Sequence, residues 1–208
     1  MIRAVLWDFG GVIVSSPFEA FRHYEEEHGL PTDFFRSINA TDPHDNAWAR
    51  LERGELDHAG FDAAYARESA ALGHEVAGAD VLALLGGEVR EEMVTALDRV
   101  RAAGMKTACL TNNVARPDGE EMRPDIAAVM ARFDVVVESS KVGVRKPEPA
   151  FYAIACDLLG VEPAECVFLD DLGINLKPAR AMGMTTIKVE DPTTAIGELE
   201  SALGLPLT

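Results

Sequence analysis

Apolar residues fall into two patterns along the chain. Short, nearly continuous apolar runs occur at Ile2–Trp7, Lys106–Leu110, Asp134–Val137, Cys166–Leu169 and Thr185–Val189. Runs without polar alternation suit strands of a parallel sheet covered on both faces. Between them, apolar residues recur at helical spacing. "EVREEMVTALDRVRAAG" stops at Gly104, and "KPEPAFYAIACDLLG" starts after prolines and stops at Gly160. "GINLKPARAMG" and "TTAIGELESALG" read as shorter helices. Strand and helix in alternation predict an α/β fold with a doubly wound, Rossmann-like parallel sheet.

Residues 15–87 break the alternation. They hold no convincing strand, and "SPFEAFRHYEEEHGL", "NAWARLERGEL" and "DHAGFDAAYARESAALG" read as amphipathic helices joined by turns. The expected organisation is an α/β core of residues 1–14 and 88–208 with a helical module, 15–87, inserted after the first strand. The charges of "WARLERGEL" are expected on a solvated helix face, and "EEEHGL" as a solvated helix end. Met122, Met182 and Met184 are expected to fill core space.

Ligands of a parallel sheet bind beyond the carboxyl ends of its strands, which gives the polar residues there particular interest. The first run ends in Asp8. The second, "TACLTNN", ends in Thr111, Asn112 and Asn113. The loop after the third, "SSKVGVRKPEP", carries Lys141, Arg145 and Lys146, and the fourth, "CVFLDD", ends in Asp170 and Asp171. Alone, each fits a blander role as a helix cap, a turn former or a solvated lysine. Together, polar groups at four strand ends point to one shared rim. Three carboxylates without a histidine make a hard-oxygen site suited to Mg2+ rather than zinc. A carboxylate, a metal, a hydroxyl and a lysine suit phosphoryl transfer, which needs an in-line nucleophile and neutralised equatorial oxygens.

"DFGGV", "LTNN", "GVRKPEPAFY" and "FLDDLGINLKPARAMGMTTIKVEDP", in that order, resemble the four motifs of the haloacid dehalogenase (HAD) superfamily of hydrolases. Within it the chain resembles the amino-terminal phosphatase domain of soluble epoxide hydrolases and the equivalent domain of acyl-CoA dehydrogenase fusion proteins. No α/β-hydrolase or dehydrogenase segment is visible in the sequence, so epoxide hydrolysis is not expected. The resemblance implies a Rossmann-like core with an inserted helical cap that closes over substrate. It implies that Asp8 is a nucleophile forming an aspartyl-phosphate. Thr111 and the amide of Asn112 would hold the phosphoryl group, and Lys146 would pair with Asp8 and the phosphate oxygens. Asp171 would bind Mg2+ directly, Asp170 would do so through water or orient the site, and Asn175 would support the rim.

One position departs from the pattern. The superfamily's first motif carries a second aspartate two residues after the nucleophile, and this chain has Gly10. In the resembled proteins that residue gives a backbone carbonyl to the metal and a carboxyl group that acts as general acid and then base. Glycine keeps the carbonyl alone. The expectation is therefore a Mg2+-dependent phosphomonoester phosphatase acting on a small phosphorylated metabolite, slow or selective for activated phosphates. The alternative is a non-catalytic module that binds magnesium and a phosphorylated metabolite. Haloacid dehalogenation fits less well, because that branch usually has tyrosine at Gly10 and no acidic pair like Asp170 and Asp171. Phosphonate cleavage needs a cap lysine, and the first lysine here is Lys106. His23, His28 and His44 are expected at the surface or in packing, not as substitute bases.

Composition narrows the partners. The 208 residues carry 35 acidic against 19 basic side chains, a net charge of −16. Such a surface repels nucleic acid and anionic membrane, while a bound cation would still admit a phosphate. Cys109, Cys156 and Cys166 lie in apolar segments without metal-like spacing and are expected buried and reduced. No signal-like or membrane-spanning stretch is evident, so a cytoplasmic location is expected. The resemblance allows a homodimer, but the residues do not set an oligomeric state.

Overall fold

A computed structural model describes residues 1–116 and 119–207. Strands β1 (Ala4–Trp7), β2 (Lys106–Thr111), β3 (Val135–Glu138), β4 (Cys166–Asp170) and β5 (Thr185–Lys188) form one parallel sheet in the order β3-β2-β1-β4-β5. This is the doubly wound architecture that the apolar runs predict. The order reverses at β1, so β1 lies at the topological switch point where such sheets bind ligands. Within one residue or two, the strands occupy the expected positions. β1 begins at Ala4 rather than Ile2, although the Arg3 backbone already bonds to Glu165 O and to Lys106 N–H.

Both faces of the sheet are buried. Val5 and Trp7 of β1, Cys109 of β2 and Val167 and Leu169 of β4 face one apolar layer. Ala4, Leu6, Ala108, Leu110, Cys166 and Phe168 face the other. Double burial is why these strands read as continuous apolar runs.

Five helices follow β1: α1 (Phe18–Glu27), α2 (Phe34–Ala40), α3 (Ala47–Glu52), α4 (His58–Ala71) and α5 (Gly78–Ala83). Six more flank the sheet: α6 (Glu91–Ala102), α7 (Pro124–Met130), α8 (Ser139–Val142), α9 (Pro149–Leu159), α10 (Gly173–Ala181) and α11 (Pro192–Leu203). α6 and α11 cover the first face, and α9 and α10 the second. Periodicity does not reveal α2, α5, α7 or α8, since each has seven residues or fewer. α3 and α4 start where Asn46 and Asp57 accept backbone N–H groups with their side chains.

α1 to α5 build a third apolar cluster around Phe21, Phe35, Leu51, Phe61 and Tyr65. Its buried charge corrects the sequence reading at "EEEHGL": Glu25 is buried, and its two oxygens accept the amides of Asp33 and Phe35 at 3.0 Å each. The two chain passages joining this cluster to the sheet run side by side. Val14 bridges to Val89, and Ser15 N–H donates to Glu88 O at 2.8 Å. Met184 is buried as expected, Met182 is half-buried, and Met122 is half-exposed. All three cysteines are buried and free. Among the described residues, no helix is long and apolar enough to cross a membrane.

Candidate active site

Parallel pairing of β1 with β2 and β4 brings three strand ends together, because Trp7 lies between Cys109 and Leu169 in register. The next residue, Asp8, donates its backbone N–H to Leu169 O at 2.8 Å, which fixes its Cα beside the end of β4. Asp8 Oδ1 accepts the Phe9 amide at 2.6 Å and meets Lys146 Nζ at 2.6 Å. No other N–H among the described residues donates to the Asp8 carboxylate.

Lys146 is 1% exposed and lies between two carboxylates. Its Nζ reaches Asp170 Oδ2 at 2.8 Å as well as Asp8. Asp170 is fully buried and saturated: Leu172 N–H donates to Oδ1 at 2.8 Å, and Asn175 Nδ2 lies 3.0 and 3.1 Å from its two oxygens. Tyr152 OH in turn donates to Asn175 O at 2.7 Å. Asn175 therefore supports the rim by fixing Asp170, on the first turn of α10.

One carboxylate oxygen from each of Asp8, Asp170 and Asp171 lies within 4.8 Å of the other two. Three carboxyl groups, two buried and that of Asp171 half-buried, face the single ammonium of Lys146. Burial, then Asp170, raises the Asp8 carboxyl well above the ordinary aspartate range, with Lys146 opposing. Burial and Asp170 likewise push Asp171 up to about 6. Burial works against the charge on Lys146, but Asp170 and Asp8 outweigh it and hold the ammonium above the ordinary lysine range. A hard divalent cation fits this donor set: oxygen ligands only, close together and short of positive charge.

Thr111 ends β2 at 8% exposure, and its hydroxyl bonds to no other described residue. The side chain of Asn112 is fully engaged. Its Oδ1 accepts Lys146 N–H at 2.8 Å, and its Nδ2 donates to Lys146 O at 3.0 Å. It clamps the backbone of the lysine from both sides and leaves only its own main chain to face a ligand. Asn113 lies apart from the cluster, bonded to Glu138, Ser139 and Ser140.

The two glycines after Asp8 differ. Gly11 has φ +76°, and a Cβ there would collide with the Asp171 carboxylate, so glycine is required on both counts. Gly10 has no such constraint: a Cβ would meet no atom within 4 Å. A side chain is missing from a place with room for one.

Sequence reasoning missed two residues. Glu52, expected on a solvated face, is buried at the end of α3 and bonds to Arg145 Nε at 2.5 Å, Asn112 Nδ2 at 3.2 Å and Trp48 Nε1 at 2.9 Å. Burial raises its carboxyl above the ordinary range, with Arg145 opposing. Arg90 donates Nη1 to Gly11 O at 2.6 Å and so braces the glycine turn. Neither residue stands at a strand end, and no spacing announces them. His23 and His28 are exposed and bond within α1 or just beyond it. His44 is also exposed.

A switch-point carboxylate is thus joined by lysine to a second carboxylate, with a third alongside, at the carboxyl ends of an α/β sheet. Residues 2–183 match the haloacid dehalogenase-like hydrolase family, and the chain belongs to it. It is 37% identical over 214 residues to mouse acyl-CoA dehydrogenase family member 10, covering 99% of this chain and 19% of that protein. It is 33% identical over 218 residues to mouse bifunctional epoxide hydrolase 2, covering 98% of this chain and 39% of that one. The chain thus spans well under half the length of these two relatives. Among solved structures, the HAD-family enzyme bt-2542 of Bacteroides thetaiotaomicron superposes with a TM-score of 0.64 at 21% identity, covering 92% of this chain and 97% of its own. That structure holds magnesium and inorganic phosphate.

Proposed function

We propose that the chain is a magnesium-dependent phosphatase that forms an aspartyl-phosphate at Asp8, slow or selective because Gly10 supplies no carboxyl group. The observation that carries this reading is Lys146 bridging Asp8 and Asp170 inside a carboxylate cluster with net negative charge. The bt-2542 structure, with magnesium and phosphate in the same fold, supports it.

In the first step an Asp8 oxygen attacks phosphorus in line, and the bond from phosphorus to the ester oxygen breaks. Lys146 neutralises Asp8 Oδ1 and the phosphoryl oxygens, while the free Thr111 hydroxyl and the main chain of Asn112 hold the transferring group. In the second step water attacks phosphorus, the Asp8–phosphorus bond breaks, and phosphate leaves with the carboxylate restored. Asp8, Asp171 and the Gly10 carbonyl, with Asp170 behind them, would hold magnesium, which would neutralise the phosphoryl oxygens. The helices of residues 15–87 act as a cap that keeps bulk water from the site.

Both steps move a proton: the leaving oxygen gains one, and the attacking water loses one. With glycine at position 10, solvent must carry both. General acid–base catalysis contributes roughly 10²–10⁴-fold, so esters of poor leaving groups suffer most. Aryl, acyl and anomeric sugar phosphates, whose leaving oxygens depend less on protonation, suffer least. Asp170 and Asp171 weigh against displacement of halide from a haloacid, since they would repel its carboxylate.

The test is release of p-nitrophenol from p-nitrophenyl phosphate, with and without magnesium, beside Asp8→Asn. Magnesium-dependent release that disappears in the variant supports the reading. Measurable magnesium binding with no release from either protein would make the chain a binding module for a phosphorylated metabolite, with Gly10 as the cause.

A further inference from the structure

We propose that Glu52 is a positioning residue for Lys146: reaching across from α3, it holds the Lys146 loop in place through Arg145 and Asn112. The kinetic part of this proposal rests on the phosphatase reading, while the positioning itself does not.

Glu52 sits where a carboxylate is costly. It is 6% exposed. It also occupies the carboxyl end of α3, where unsatisfied carbonyls disfavour negative charge. A buried ion needs a partner and filled hydrogen bonds, and Glu52 has both. Arg145, 93 positions away, approaches Oε2 to 2.5 Å, Asn112 donates to the same oxygen and Trp48 to Oε1. Both oxygens are engaged, so Glu52 does not replace the proton-transfer group missing at Gly10.

The partners it selects lead to the site. Arg145 immediately precedes Lys146 and also donates Nη1 to Pro43 O at 3.1 Å, so two points in the 41–52 segment hold it. Asn112 grips Lys146 N–H and O at once, and its second amide hydrogen goes to Glu52. Glu52 thereby fixes the rotamer of the side chain that fixes the lysine backbone. Beyond it, Gly54 lies so close to Ser140 that a Cβ would stand 2.6 Å from the Ser140 carbonyl oxygen. The end of α3 thus packs flush against the start of the same loop, on α8. The loop depends on this contact from the helical segment: without it, Arg145 loses its carboxylate and Asn112 is free to turn.

The test compares Glu52→Gln, Arg145→Gln and the double variant with the parent protein. Two readouts are needed: p-nitrophenyl phosphate kinetics and amide hydrogen exchange at Lys146, whose N–H bonds to Asn112. The proposal predicts that kcat falls about 10²-fold in either single variant, as for a reacting group displaced by about an ångström. The double variant falls no further, because both changes break one linkage. KM changes little, Lys146 exchange accelerates, and β4 amides keep their parental rates. Wild-type kcat with unchanged Lys146 exchange in Glu52→Gln overturns the proposal. So do losses that multiply in the double variant, or exchange that accelerates equally across β4. A parent protein that releases no phosphate refutes the phosphatase reading alone. Faster Lys146 exchange in Glu52→Gln would then still establish the positioning role.

Discussion

The molecule buries carboxylates in two contrasting ways. In the helical segment, Glu25 and Glu52 are each taken up singly, and donors from the protein meet both oxygens of each. At the sheet edge, Asp8, Asp170 and Asp171 crowd around one lysine, and the protein supplies too little positive charge for the group. A satisfied buried charge is architecture, since nothing from outside is needed to complete it. A crowded, undercompensated cluster costs stability in isolation, and a fold keeps one where a cation and an anionic ligand complete it.

Substitutions that separate activity from stability test this contrast. The largest effect is expected from Asp8→Asn, which should cut phosphate release roughly 10³-fold or more by removing the nucleophile. The same change removes one of three crowded carboxylates, so the Tm of the metal-free protein should rise. Gly10→Asp comes next and runs the other way. A Cβ at Gly10 meets no atom within 4 Å, and turnover of a poor-leaving-group phosphate should rise roughly 10²-fold. An unchanged rate in a folded, magnesium-binding variant would remove Gly10 as the cause of slow turnover.

Glu25→Ala is the foil. The buried amide of Phe35 and the part-buried amide of Asp33 lose their acceptor, so denaturant melts should show a loss of about 1–3 kcal/mol, while kcat per folded molecule stays at the parental value. The smallest effect concerns pH. Asp171 titrates near 6 in the folded chain and lower when unfolded, so the folded state binds its proton more tightly. The metal-free protein should accordingly lose stability as pH rises from about 4 to about 6. Magnesium requires the ionised form, and its affinity, followed by calorimetry, should weaken as pH falls below about 6.

Much of the sheet edge was legible in the sequence because doubly buried strands announce themselves as apolar runs, and the residue ending each run marks the rim. Asp8, Thr111, Asp170 and Asp171 are found that way, and Lys146 by its place in the loop after β3. Glu52 was not legible. On a six-residue helix, a charged position reads as solvated unless its partner is known, and Arg145 lies 93 residues away. Glu25 escaped for a different reason: its partners are backbone amides at the start of α2, and residue types do not announce such bonds. For Gly10 the division is different: the resemblance to the family implies the lost carboxylate, and only the structure shows that a Cβ at Gly10 meets no atom within 4 Å while one at Gly11 would meet the Asp171 carboxylate.

The account turns on whether Asp8 takes the phosphoryl group. Its most direct test is to quench the protein during reaction with acetyl phosphate and magnesium, then map any phosphoryl adduct by mass spectrometry beside Asp8→Asn. The account predicts an adduct on the peptide carrying Asp8, dependent on magnesium and absent from the variant. Magnesium binding at the cluster with no adduct on Asp8 and no phosphate release would contradict it.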